Sequence, residues 1–350
     1  MRKIVFTLFL LSALSSGTLL QAQEGLKLPA WSRYITPTGY MQTGFTADFS
    51  KGEDPNSTFY LKRVRVALLG TLLESPYYGK LEYKVQADLA GSPKLVDYFL
   101  KYTLRDEFGV QLGQFKTPLS IENSEYPPLK LEMIDYSLLV QRMCRMSTVD
   151  VSGISATGRE LGIQFFGKLF PMESGHHLVR YNLAVFNGNG INKLDDDKRK
   201  DFMGRLMIFP MKELCVAGYY MRTLGPHPEI APEYNVYDWY VYDRYGGGLA
   251  YASQYGWLRG EYMAGHALGY RSHGAYGTIG YNINKDLSVG FRYDYFVPRS
   301  DLPQNMQQHF TGAINWMPWK FFRVQLNYSY RLETNLKPQH VVNLMTTIAL

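Results

Sequence analysis

From Lys80 to Leu89 the chain alternates without a break. Lys80, Glu82, Lys84, Gln86 and Asp88 share one parity, and Leu81, Tyr83, Val85, Ala87 and Leu89 share the other. A side-chain period of two describes a β-strand with one wet face and one apolar face. The rhythm returns over Arg63–Leu69, Ser288–Tyr295 and Arg323–Arg331. One such strand suits a soluble sandwich as well as the wall of a transmembrane barrel with a watery lumen. The rest of the chain has to decide between them.

The start of the chain favours the barrel. Met1, Arg2 and Lys3 form a basic opening, Ile4 to Leu20 is an apolar stretch broken by Ser12, Ser15, Ser16 and Gly17, and Ala22 follows. This is the pattern of a secretory signal peptide, expected over residues 1–22. Residues 23–350 are then expected to form one barrel domain. No later stretch is apolar for the ~18 residues that a helical span needs. The composition is nonetheless 15% aromatic with 28 tyrosines, which suits girdles at two membrane interfaces. A mean hydropathy of −0.23 is what a chain gives when half of each strand meets water. The formal charge of +6 falls to +4 without Arg2 and Lys3, and no basic run accompanies it, so no nucleic-acid partner is expected.

Sixteen strands can be read between 34–50 and 338–350, an even number as a closed antiparallel barrel requires. Tight punctuation at Glu74–Pro76, Asp106–Gly109, Pro210–Lys212, Asn284–Asp286 and Pro318–Trp319 alternates with longer segments at 51–57, 188–199, 225–239 and 298–305. The fold class is therefore all-β: a transmembrane antiparallel barrel with short turns on one rim and long loops on the other. Residues 118–157 break the rhythm. Their apolar residues Leu129, Leu131, Met133, Ile134, Leu138, Leu139 and Val140 suit packing against a wall, with some helix between 129 and 140. This segment is expected to fold inward and narrow the lumen, an exposed extracellular loop being the alternative.

Parity turns eleven basic residues inward: Arg63, Arg65, Lys80, Lys84, Lys101, Arg180, Arg205, Arg259, Arg292, Arg323 and Arg331. It turns eight acidic ones the same way: Asp48, Glu82, Asp88, Asp97, Glu160, Asp201, Glu261 and Asp294. Most of these are expected to bridge one another across strands. Arg63, Arg65, Lys80 and Lys84 stand on adjacent strands and could form a basic stripe, which in a narrow channel concentrates anions.

An enzyme is not expected. His309 and Ser329 share the lumen parity, but nothing in the sequence joins them into a nucleophile and base. His176 and His177 are adjacent and point to opposite faces of a strand, so no metal is expected, and neither is a cofactor. Cys144 and Cys215 do not make a disulfide framework.

Several motifs resemble one family. Gly113-Gln114-Phe115-Lys116-Thr117-Pro118-Leu119-Ser120-Ile121-Glu122-Asn123 resembles the GQFKxPFSxEN signature of the phosphate-selective porin O and P family, in its Bacteroidetes branch. Gly158-Arg159-Glu160-Leu161-Gly162-Ile163-Gln164 resembles its GRDxGxQ motif, and Ala184-Val185-Phe186-Asn187-Gly188 its AVFNG. Lys200 to Arg205, followed by Pro210, resembles the next strand. The resemblance implies a sixteen-stranded outer-membrane porin of a Gram-negative envelope, surrounded by lipid, commonly a homotrimer, with an inward third loop and an anion path lined by arginine and lysine. It puts Lys116 at the constriction and Arg159 at the far end of the loop. Parity alone points Lys116 at lipid, where a charge near midplane costs ~2–4 kcal/mol. A bulge, or the end of the strand, is therefore expected there. The loop is acidic, with Glu122, Glu125, Glu132, Asp135 and Asp150 against Lys130, Arg142 and Arg145, which argues against tight phosphate selection.

The expected function is passive diffusion of small anions, with phosphate one candidate. Arg63, Arg65, Lys80, Lys84, Lys116, Arg159 and Arg205 are the expected pore-lining residues. A non-selective general porin and a plugged structural or adhesive barrel remain the alternatives.

Overall fold

The computed structural model describes residues 30–50, 56–144, 158–195, 199–226, 239–267, 270–300, 305–334 and 336–350. The expected signal peptide and residues 145–157 of the expected loop lie outside these. After a 3-10 turn at Ala30–Arg33, the first strands are β1 Thr36–Asp48, β2 Asn56–Ser75, β3 Gly79–Asp88, β4 Lys94–Arg105 and β5 Phe108–Lys116. Two short helices follow, α1 at Ile121–Glu125 and α2 at Leu138–Met143. The wall resumes with β6 Arg159–Pro171, β7 His177–Phe186, β8 Asp201–Met211, β9 Leu214–Pro226 and β10 Trp239–Ala252. It ends with β11 Gly256–Ala267, β12 Tyr270–Asn282, β13 Leu287–Val297, β14 Gln307–Trp319, β15 Phe322–Glu333 and β16 Gln339–Ala349.

Each strand pairs antiparallel with its sequence neighbours, and β1 pairs with β16, from Tyr40 opposite Ala349 to Asp48 opposite Val341. The sheet thus closes with no free edge, the condition for a sheet to span lipid. Alternation sets the two faces. Val66, Leu112, Leu326 and Ile279 stand outward and exposed, while Arg65, Gln111, Gln325 and Thr278 point inward and are buried.

One bulge redirects a charge. Gln42 pairs with Arg63 and Thr43 with Leu61, so Lys62 is an extra residue in β2. It turns inward beside Arg63 and forms an ion pair with Asp135. A plain period of two would have left Lys62 against lipid.

The segment after β5 enters the barrel. Leu119, Leu131, Leu138, Leu139, Val140 and Met143 pack with wall residues Phe186, Met221, Met263 and Phe296 into one apolar cluster. Ile121 packs on Met207, Phe209 and Cys215. Each fully buried side chain of this size contributes ~1.5–3 kcal/mol to holding the segment against the wall. The helix expected between 129 and 140 is placed differently: α2 starts only at Leu138, after Ser137 caps it by accepting from the Val140 amide. Cys144 and Cys215 are both free thiols and buried.

Candidate functional site: a basic eyelet beside the inner loop

The inner loop is held by charge as well as by packing. The Glu261 carboxylate on β11, 3% exposed, accepts from Ser120 Oγ at 2.9 Å and from the amides of Ile121 at 2.6 Å and Glu122 at 2.9 Å. Tyr219 and Tyr276 hydroxyls complete its shell at 3.0 and 2.7 Å. The carboxylate thus meets the unpaired amides that open α1. Arg259, 1% exposed, donates to Glu132 at 2.9 Å and Glu122 at 3.3 Å, and its guanidinium lies 3.8 Å from the Tyr126 ring centroid. Asp294 accepts from the Leu138 amide at 2.8 Å. Arg323 donates to the carbonyls of Pro128, Leu129 and Leu131 at 3.0 to 3.1 Å.

These contacts revise the expected effect of the loop's acidity. Glu122 and Glu132 pair with Arg259, Glu125 with Arg205 and Asp135 with Lys62. Asp150 lies outside the described residues. Burial works against the charge on Asp135, but the Lys62 ammonium outweighs it and holds the carboxyl at about 2. Burial likewise opposes ionisation of Glu125, and the Arg205 guanidinium, with Arg180 behind it, brings its carboxyl below the ordinary range. The four described acids of the loop are tied to cations, so the segment's acidity is offset where it packs.

The loop packs mainly on the β8–β13 side of the lumen. Against β1–β8 it leaves a cavity of about 400 Å³. Its lining holds six cationic side chains, Arg65, Lys84, Lys116, Lys130, Arg159 and Arg205, against two carboxylates, Asp97 and Glu125. Asp97 accepts from Lys84 at 2.7 Å and from Arg159 Nε at 2.5 Å, so one acid serves two cations. Arg65 donates to Asp88 at 2.9 Å, and Arg205 to Asn182 and Glu125 at 2.8 and 2.9 Å. Lys116 Nζ donates to the Asn123 carbonyl at 2.6 Å and the Tyr136 hydroxyl at 3.0 Å. Between low-dielectric walls such an excess of one sign of charge focuses the local field.

Five of the seven expected residues therefore line one cavity: Arg65, Lys84, Lys116, Arg159 and Arg205. Arg63 and Lys80 stand outside it. Arg63 donates to Gln42 at 2.7 Å, and Lys80 pairs with Glu82 at 2.7 Å near the short-turn rim. Lys116 reaches the lumen without the bulge that its parity called for. The β5–β6 register runs unbroken from Gly109 opposite Phe166 to Lys116 opposite Arg159. Lys116 is the last residue of the strand, where the chain turns inward. Three residues earlier Gly113 takes φ +127°, and a Cβ there would lie 2.2 Å from the Tyr98 carbonyl oxygen, so the motif's glycine is a steric requirement.

Two lumen cations escaped the parity reading. Lys62 is displaced by its bulge. Arg244, which donates to the Met143 carbonyl at 3.0 Å, lies in a strand whose Tyr and Gly content blurs the period. The signal for Lys62 was present: two adjacent charges, Lys62 and Arg63, in a strand that must spare lipid. His309 and Ser329 face the lumen but bond separately, His309 to Glu333 at 3.4 Å and Ser329 to Thr311 at 3.0 Å.

Comparison with known proteins agrees with this architecture. A model of the family described as phosphate-selective porin O and P matches residues 36–228. The anion-selective porin of Comamonas acidovorans superposes with a TM-score of 0.70 at 12% identity, covering 90% of this chain and 99% of that one. OmpF of Salmonella typhi, solved with daunomycin, gives 0.65 at 8% identity, covering 92% and 100%. The trimer form of OmpT, an outer-membrane protein of Vibrio cholerae, gives 0.60 at 12% identity, covering 91% and 100%. At these identities the likeness is one of fold. No curated protein sequence matches the chain.

Proposed function

The chain belongs to the phosphate-selective porin O and P family, and on that footing we propose that this outer-membrane porin passes small anions by diffusion, phosphate among them, through the eyelet between the inner loop and β1–β8. The observation that carries the reading is the lining, six cations against two carboxylates around about 400 Å³. Lys116 and Arg159, partners across β5 and β6, both line it. Asp97 stays shared between Lys84 and Arg159, so an entering anion does not meet an isolated carboxylate. No chemical step is required of the protein; it supplies a wet, positively biased gap in lipid. Assembly as a homotrimer belongs to the same proposal and is supported by the trimer form of the OmpT relative.

The test is a reversal potential in a planar bilayer under a salt gradient. The expected result is a potential of the sign set by the anion, with phosphate added at millimolar concentration reducing the chloride current. Equal permeability to both ions would make the protein a general porin, and absence of conductance would make it a plugged barrel.

A further inference from the structure

We propose that the outer wall of β9–β12 carries a binding site for a phosphorylated glycolipid of the outer leaflet. The lumen does not account for one row of charge. Arg222 on β9 pairs in register with Asp243 on β10, Asp243 with His266 on β11, and His266 with Arg271 on β12. All four point away from the lumen, because their chain neighbours Thr223, Arg244 and Ser272 are buried inward. Asp243 is taken by Arg222, with nitrogen–oxygen distances of 2.8 and 3.0 Å. His266 stands beside Asp243, and Arg271 forms no ion pair among the described residues, so the row ends on an outward-facing cation, with the His266 ring beside it.

Its depth is fixed by what lies below it. Two residues nearer the short-turn rim on β9 and β10 stand Tyr220 and Tyr245, cross-strand partners and both exposed. On β11, Tyr262 is exposed as well. Tyrosines facing lipid mark the membrane–water boundary. A cationic row just beyond them on the loop side lies at the level of the outer-leaflet headgroups. That level holds phosphate in a Gram-negative outer membrane, and arginine is the side chain that grips phosphate in two places.

The wall beneath is unusually low. Gly218 pairs with Gly247, and Gly260 with Gly277, all on the lipid face. A Cβ at Gly218 or Gly277 would meet nothing within 4 Å. Gly218 and Gly247 lie below Tyr220 and Tyr245 and beside Tyr262, and Gly260 and Gly277 lie one outward row further from the loops, beside Leu249. Acyl chains can lie flat over these two low patches while the phosphate reaches Arg271 and His266. The low floor and the cationic end above it are independent features that fit one amphipathic ligand.

The test uses the purified full-length barrel in detergent, titrated with diphosphorylated lipid A and read by native mass spectrometry. Correct folding is checked by heat-modifiable migration on gels. Arg271→Glu is expected to weaken lipid A binding about tenfold or more, the worth of one charge-assisted hydrogen bond. Dephosphorylated lipid A should bind the native protein more weakly by a similar factor, and millimolar inorganic phosphate should not compete. Gly277→Leu, which leaves every charge in place, should weaken binding by filling the floor. Native-like binding by Arg271→Glu overturns the proposal, as does equal binding of the dephosphorylated lipid. Loss of oligomers in Arg271→Glu without loss of lipid would instead make the row a contact between copies of the chain.

Discussion

A fixed charge acts on a passing ion in proportion to how little water separates them. Lys116 lines the eyelet, whereas Lys212 sits in the turn between β8 and β9. Lys116→Glu should therefore lower the anion-to-cation permeability ratio several-fold more than Lys212→Glu, since a rim charge is screened within ~10 Å at 0.1 M salt. Equal shifts in reversal potential would mean that selectivity comes from diffuse charge. Arg159 is a different kind of position. It is 4% exposed and braced on Asp97, so Arg159→Met leaves a buried carboxylate short of a partner. Lys84 remains on Asp97, so the loss of stability should be ~1.5–3 kcal/mol in urea unfolding followed by gel mobility, the worth of one charge-assisted hydrogen bond. Facing is testable residue by residue: a cysteine at Lys84 should react with a water-soluble maleimide in the folded barrel, and one at Val85 should not. At this scale the sequence was legible wherever the period held, as at Lys84 and Arg65. Lys62 was lost to a bulge, and Lys116 was placed by a motif, against its own parity.

The inner loop is the element that packs inside the barrel, and its effect on conductance can be read directly. Removing residues 125–143 takes out α2 and the carbonyls that Arg323 holds, and should raise single-channel conductance well above that of the native barrel. Unchanged conductance would mean that the loop does not limit the current. Acid should loosen the same element. The Asp135 carboxyl is held at about 2, below its ordinary range, so its tie to Lys62 is fully present above pH ~4 and is lost as pH falls through 2. Lys62→Met takes away the largest support of the depression, leaving Arg63 and Arg331, and channel noise should then set in at higher pH than in the native protein. Apolar content announced that this segment would pack inward. Its docking partners were not legible, because Ser120 meets Glu261 and Leu129 meets Arg323 from far along the chain, and no local pattern encodes such pairs.

Closure is a property of the whole molecule, and it rests on β16 meeting β1 over nine registered positions. Deleting residues 339–350 opens two edges, and the product should lose heat-modifiable migration altogether. The strand count, the closure and the short-turn rim could all be read from alternation and punctuation, because every strand obeys the same two-faced constraint. The eyelet could not, since it is the space left over once loop and wall have packed. That division of labour gives salt two separate effects. The loop's carboxylates act as built-in counterions for Arg259, Arg205 and Lys62, held in place at contact distance, whereas Lys84, Lys116 and Lys130 keep part of their surface open to the lumen. Raising ionic strength should therefore erode discrimination between anions and cations while leaving the bore unchanged: a concentrated brine would find the same aperture with its preference muted.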